Sequence, residues 1–335
     1  MTKKFPAIIM VLFMLLSIIS CDINTNSGVP RSIGNTSEVL IIVDSEKQWD
    51  NGVGSVIREV LGQDQYGLNQ AEPIFKLSHV QKKSFSDLFK KHHNLLVVGV
   101  NPALKEPKIE SSVDLWSKPQ QIFKVTAPST KELIELIKNN KDLFINAYQR
   151  TDRDRIMEVF RPIQNNEAVS KILENTGIKI VVPKDFYLAK ESKEFCWVRK
   201  EAAEFSQGYF IISSDYLDTA QFSKESIMSR INLALKTNVP GSVLNSYMST
   251  DNEFMPPQRT VLDDFLGGYA AKIVGTWVVE NDFMGGPFVS YTIYNEANSK
   301  IVTLMGYVYK PNENKRNLLK QVEALLYSAK LETKK

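Results

Sequence analysis

The first twenty-one residues set apart how the rest of the chain has to fold. Lys3 and Lys4 precede an apolar stretch from Ala7 to Ile19, broken only by Ser17. That stretch is too short for a membrane-spanning helix, which needs about 20 apolar residues. It has the length of the hydrophobic region of a secretory signal. It ends in Ile18-Ile19-Ser20-Cys21, aliphatic residues and a small residue before a cysteine, the pattern of a lipobox. The small residue suits a signal peptidase and the thiol accepts a diacylglycerol. Residues 1–20 are therefore expected to be a lipoprotein signal peptide, with Cys21 as the lipidation site. Several buried acyl chains, each methylene contributing about 0.8 kcal/mol, make such an anchor permanent. Residues 21–37, rich in Asn, Ser, Thr and Gly, read as a flexible tether.

Without the leader the charge nearly cancels. Removing Lys3 and Lys4 from 41 basic residues leaves 39 against 38 acids. That balance gives no electrostatic footprint for nucleic acid, so nucleic acid is excluded as a partner. Two cysteines are present, and with Cys21 acylated Cys196 has no disulfide partner. Cys196 sits in Phe195-Cys196-Trp197-Val198, a strand-like run without a histidine or helix start to activate it, and reads as a small buried hydrophobe.

Hydrophobic periodicity divides the body in two. Residues 38–162 read as an N-terminal α/β-type lobe, with a buried strand at 39–43, an equally apolar one at 95–100, and further strands at 74–80 and 121–125. A helix with Val53, Val56, Ile57, Val60 and Leu61 on one face follows the first strand. Ser129-Thr130-Lys131-Glu132 has the capping-box pattern and opens a helix expected to run to about Phe160. Its charged stretch 150–155 reads as a solvated face. Residues 163–335 read as a C-terminal α+β lobe. A helix around 168–175 stops at Gly177, strands fall at 195–198 and 209–212, and Ser223 opens another helix. Residues 245–260 are polar and read as a loop. A strand at 270–279 precedes a hairpin of 288–294 with 301–309, and a helix opens at Asn314. Trp116, Trp197 and Trp277 each precede an aromatic strand and a capped helix, a recurrent strand-strand-helix unit without fixed period. The expected class is α+β, with antiparallel-rich sheets and amphipathic helices packed on one face.

Chemistry-bearing motifs fail on inspection. Gly52-Val53-Gly54-Ser55-Val56-Ile57 starts like a dinucleotide fingerprint but lacks the third glycine and the immediately preceding strand. His92 and His93 are adjacent and have no further ligands nearby in sequence. Asp263-Asp264 and Glu280 with Asp282 are carboxylate pairs of a kind that any acid-rich chain contains. No catalytic residue, cofactor or metal site is assigned.

The unusual stretch is Asn281-Asp282-Phe283-Met284-Gly285-Gly286-Pro287-Phe288. Its glycines permit positive φ or close backbone approach, and Pro287 stiffens the exit. Aromatic and Met side chains are favoured in binding hot spots. Trp277, Asp282, Phe283, Met284, Gly285, Gly286, Pro287 and Phe288 therefore form the candidate partner-binding loop.

The span from Trp277 through this loop to Val289-Ser290, with Gly306-Tyr307-Val308-Tyr309, Lys315-Arg316-Asn317-Leu318 and Leu325-Leu326-Tyr327, resembles an uncharacterised lipoprotein family of Bacteroidota cell envelopes, a domain of unknown function. The resemblance implies a cell-envelope lipoprotein and brings no activity or cofactor. No acidic cluster follows Cys21, which leans towards the periplasm-facing leaflet of the outer membrane. The expected role is a non-enzymatic binding or scaffold protein in outer-envelope assembly or maintenance, held to the membrane by its lipid anchor and engaging an envelope protein partner. Two alternatives stand beside it. An envelope hydrolase using a carboxylate pair would need a deep cleft lined by two carboxylates of raised pKa. A carrier of a small apolar ligand would need an enclosed apolar cavity of several hundred Å3.

Overall fold

The computed structural model describes residues 28–331. The expected signal peptide and Cys21 lie outside the described residues. The chain runs through β1 (Glu38–Val43), α1 (Glu46–Asp50), α2 (Gly52–Leu61), β2 (Lys76–Gln81), α3 (Asp87–Lys90), β3 (Asn94–Val100), β4 (Lys108–Val113), β5 (Gln121–Ala127), α4 (Thr130–Asn139) and α5 (Lys141–Phe160). The first sheet has the order β2-β1-β3-β5-β4. Its pairs are parallel except for β4 on β5. Parallel strands are buried on both faces and read as continuous apolar runs, which is why β1 and β3 stood out in the sequence. One face packs Val39, Ile41, Leu96, Phe123 and Val125 against α2, α4 and α5. The other packs Leu40, Ile42, Leu95 and Ile122 under Phe85, Phe89 and Trp116.

The second half contains α6 (Asn166–Thr176), β6 (Ile178–Lys179), β7 (Tyr187–Glu191), β8 (Phe195–Glu201), β9 (Ser206–Asp215), α7 (Lys224–Asn238), β10 (Tyr247–Asp251), β11 (Gln258–Phe265), β12 (Gly268–Glu280), β13 (Gly285–Asn295), β14 (Lys300–Tyr309), α8 (Arg316–Tyr327) and β15 (Lys330–Leu331). Its large sheet is antiparallel, ordered β10-β12-β13-β14-β9-β8-β7, with β11 also on β12. β12 pairs β11 along its first half and β10 along its last. The class is α+β with antiparallel-rich sheets. Its layering goes one step further than the pattern implied. α6 and α8 cover one face of this sheet, while α7 covers the other with Ile227, Ile231 and Leu235. Among the described residues no helix is long and apolar enough to cross a membrane.

Local capping follows the sequence at several ends. Ser223 Oγ accepts the Ser226 amide, and Gly177 adopts φ 68° at the end of α6. Ser129 Oγ accepts the Glu132 amide at 3.3 Å, but the Glu132 carboxylate accepts a hydrogen bond from the Ser129 hydroxyl at 2.6 Å in place of the backbone amide of the full box. The helix expected to run from 133 to 160 is two helices. Asn140 leaves helical geometry with ψ 23° and its side-chain amide donates to the Leu136 carbonyl at 2.8 Å. The 245–260 segment is not all loop, because β10 is a short polar edge strand whose partner β12 supplies the ladder.

The stretch 150–155 is also not wholly solvated. Asp152 is buried, accepting the Ser37 amide at 2.8 Å and Asn94 Nδ2 at 3.3 Å, with His93 Nε2 3.0 Å away. His93 Nδ1 donates to the Ile33 carbonyl at 2.9 Å. His92 stacks on His93 with ring centroids 4.9 Å apart. Residues 30–33 run along the body, with Ser32 donating to the Lys118 carbonyl at 2.9 Å and Lys118 to that of Pro30 at 2.8 Å. Gly34, at φ 109°, lets this segment pass the histidines, since a Cβ there would meet His93 Nδ1 at 2.7 Å.

α8 begins without a cap of its own. Lys315 makes no side-chain capping bond, the first turn has no acid, and Asn314 does not serve as the opener expected of it. The cap comes from the other lobe. Glu72, buried, accepts the Lys315 amide at 2.6 Å and the Arg316 amide at 3.2 Å. Arg316 Nη1 returns a bond to the Pro73 carbonyl at 2.7 Å. The loop that carries Glu72 also buries Leu68 in the core of the second lobe, and Tyr66 donates to the Pro256 carbonyl at 2.6 Å.

Two outcomes are expected. Glu72→Ala leaves buried amides unpaired at a helix start, and urea unfolding at pH 7 should show a loss of about 2–3 kcal/mol. Burial, reinforced by the neighbouring His93, lowers the His92 pKa from 6.5 to about 4. Between those values the unfolded chain binds a proton that the folded one does not. Stability should be complete above pH 6.5 and fall by about 3 kcal/mol as pH drops through 4. His92→Gln should remove that share of the slope in unfolding curves taken from pH 7 to 4.

Candidate docking turn and the cavities around it

β12 and β13 are joined by a four-residue turn, Asn281 to Met284. Asn281 takes the left-handed conformation at φ 64°, which Asn tolerates better than most residues. The Val279 amide donates to the Met284 carbonyl at 2.8 Å and the Asp282 amide to the Val279 carbonyl at 3.1 Å. Asp282 Oδ1 accepts the Phe283 amide at 2.7 Å, and Asn281 Nδ2 reaches the Asn245 carbonyl at 3.2 Å. The turn is thus held at each residue, and it carries Phe283 fully exposed at its tip.

The eight residues singled out in the sequence divide sharply. Phe283 is exposed, while Asp282 and Met284 are half-buried. Trp277, Gly286, Pro287 and Phe288 are buried, and Gly285 is half-buried in β13. Trp277 Nε1 donates to the Val308 carbonyl at 3.1 Å, so its polar edge is committed internally. The glycines belong to a strand, not to the turn, and neither has positive φ. Close approach explains Gly286: a Cβ there would sit 2.1 Å from the Val308 carbonyl oxygen. Only Phe283, Asp282 and Met284 are placed to reach a partner, and the other five hold the platform.

Beside the turn lies a pit of about 180 Å3, lined among others by Trp197, Arg199, Met248, Trp277, Met284 and Tyr307. Trp197 Nε1 donates to the Tyr307 hydroxyl at 2.9 Å, and burial pushes that phenol well above its ordinary range. The Arg199 guanidinium lies over the Trp197 ring, 4.5 Å from its centroid, and pairs with Glu201. Metabolite sites fall at about 300–1,000 Å3, so a pit of this size suits one side chain of a protein partner. Trp197 entered the sequence reading only as part of a recurrent unit, and Arg199 was not singled out. Their spacing of two in β8 puts them on one face, the one signal that could have found them.

Elsewhere, burial pushes the Cys196 thiol up to about 11, and its Sγ lies 3.6 Å from the Ser192 carbonyl, as befits an unreactive core residue. Asp263 and Asp264 fall at an irregularity in β11, and Asp264 faces a cleft that Asp263 does not line. Glu280 lines a different depression that Asp282 does not reach. Among the described residues no group of three His, Cys, Asp or Glu side chains is placed to hold a metal ion. A largely apolar depression of about 710 Å3 beside Phe265, Leu266, Tyr269 and Tyr294 is an open surface groove.

Fold and surface together define an α+β protein of two large sheets and a small two-stranded one, β6 with β15, its lobes joined by a clasp, with a rigid aromatic turn on the larger sheet. Residues 32–161 match a family described as a domain of unknown function (DUF8532), and residues 165–328 match a second one (DUF4837). The two matches follow one another along the chain without overlap. No curated protein matches it.

Platform and tip should respond differently to substitution. Gly286→Ala should cost about 2–4 kcal/mol in denaturant unfolding, because backbone must shift. Phe283→Ser should change stability by less than about 0.5 kcal/mol, as expected of an exposed side chain.

Proposed function

We propose that this protein is a lipoprotein of a Bacteroidota cell envelope, anchored through Cys21 in the periplasm-facing leaflet of the outer membrane, and that its body is a non-enzymatic binding module for an envelope protein, serving outer-envelope assembly or maintenance. The anchor rests on the leader and lipobox. The binding role rests on one observation above others: Phe283 is fully exposed on a turn that four hydrogen bonds hold still. Exposing a large aromatic ring leaves unused the roughly 2–3 kcal/mol that its burial would contribute. A mobile loop could fold such a ring back, whereas this turn holds it outward. Pre-organisation lowers the entropic cost of association. Met284 and the pit beside it supply an adaptable apolar edge, and Arg199 stacked on Trp197 supplies a cationic rim.

Metabolic labelling with a palmitate analogue should mark the mature chain, and Cys21→Ser should abolish the label. An unlabelled wild-type product rules out the anchor. A photo-crosslinking amino acid at position 283 should join the protein in living cells to one discrete envelope protein. The same group at exposed Leu233 on α7 should not. Phe283→Ala with Met284→Ala should cut recovery of that partner about tenfold; unchanged recovery rejects the turn as the docking element.

A further inference from the structure

The cleft between α5 and the second lobe contains a concentration of uncommitted positive charge. Arg150 and Arg153, three apart on α5, share a face, and Arg161 lies just beyond its end. All three line a cleft of about 380 Å3 whose far wall includes Lys272, Leu262 and Tyr327. Among the described residues every other arginine donates a side-chain hydrogen bond to the protein, as Arg155 does to the Gly34 carbonyl and Arg259 to that of Phe222. Arg150, Arg153 and Arg161 make no side-chain hydrogen bond or ion pair there. Arg153 is nonetheless held in place, with its guanidinium carbon 4.0 Å from the centroid of the Tyr327 ring. Stacking engages the flat face and leaves the N–H edge available.

The floor adds to this charge. Glu323 is buried beneath the cleft and meets two ammonium groups, Lys272 Nζ at 3.0 Å and Lys320 Nζ at 3.1 Å, while Tyr291 donates to it at 2.5 Å. One carboxylate against two cations leaves an excess positive charge where water screens it poorly. Asp154 and Asp264 also line the cleft. Three guanidinium groups and the excess ammonium therefore face two carboxylates, a surplus that matches a dianion.

We infer that this cleft is a binding site for a phosphomonoester attached to an apolar or aromatic body, with the phosphate between the α5 arginines and Lys272 and the body along Leu262 and Tyr327. Separate guanidinium forks from the helix and the turn after it suit a tetrahedral oxoanion better than one planar carboxylate. The volume lies within the range of small-molecule sites, and boundaries between domains commonly hold them. The same phosphate chemistry occurs on a soluble metabolite and on a lipid headgroup. The site is independent of the docking turn, so either can fail without the other.

Calorimetric titration of the full chain in neutral detergent would test this with phenyl phosphate, dihexanoyl phosphatidic acid and inorganic phosphate. Saturable one-to-one binding of at least one organic phosphate is expected, tighter than inorganic phosphate. Arg153→Gln and Arg150→Gln should each weaken it about tenfold, while Lys141→Gln at the far end of α5 should leave it unchanged. Stronger binding of phosphatidic acid assigns the lipid source, and stronger binding of phenyl phosphate the soluble one; both uphold the site. No saturable binding, or equal binding by the Arg150→Gln, Arg153→Gln double variant, overturns it. Phenylacetate binding as tightly as phenyl phosphate overturns the phosphate assignment.

Discussion

The carboxylate of Glu72 at the start of α8 is the contact on which the assembly turns. A helix start leaves amides that something must accept, and α8 has no acceptor of its own in place. The acceptor arrives from the first lobe, 243 residues earlier in the chain. α8 in turn supplies much of one face of the second core through Leu319, Val322, Leu325 and Leu326. Pairing in the first lobe and packing in the second are thereby coupled, because moving the lobes apart exposes buried amides, a buried carboxylate and Leu68 together. Asp152 does comparable work inside the first lobe, tying α5 to the backbone ahead of β1 and to β3.

This coupling positions both surface features. The aromatic turn extends from β12 and β13, two adjacent interior strands of the large sheet, so Phe283 stands on a platform anchored by Trp277 and Phe288. The charged cleft exists only because α5 packs against α8, bringing arginines of one lobe over the buried Glu323 of the other. A ligand in the cleft would touch both lobes and stabilise the clasp by mass action.

Much of the first lobe was legible in the sequence, since buried parallel strands such as Leu95 to Val100 announce themselves as apolar runs. The hairpin of β13 and β14, the helix stop at Gly177 and the helix start at Ser223 were legible for similar local reasons. Edge strands were not. β4 and β10 are short and polar, and their hydrogen bonds are specified by the neighbours β5 and β12. The stretch 150–155 misled for another reason. Charge density is a property of the sequence, but whether Asp152 meets solvent or the buried His93 depends on where α5 lands.

By itself the sequence determined the α+β class and the location of an unusual aromatic and glycine stretch, because each depends on residues close together in the chain. Tertiary structure alone decided that Phe283 faces outward while Trp277 and Phe288 face inward, that Glu72 caps a distant helix, and that Arg150, Arg153 and Arg161 gather at one cleft. Those outcomes depend on which groups lie within a few ångströms after the lobes close. Distance through space, not along the chain, sets hydrogen bonding, desolvation and Coulomb energy.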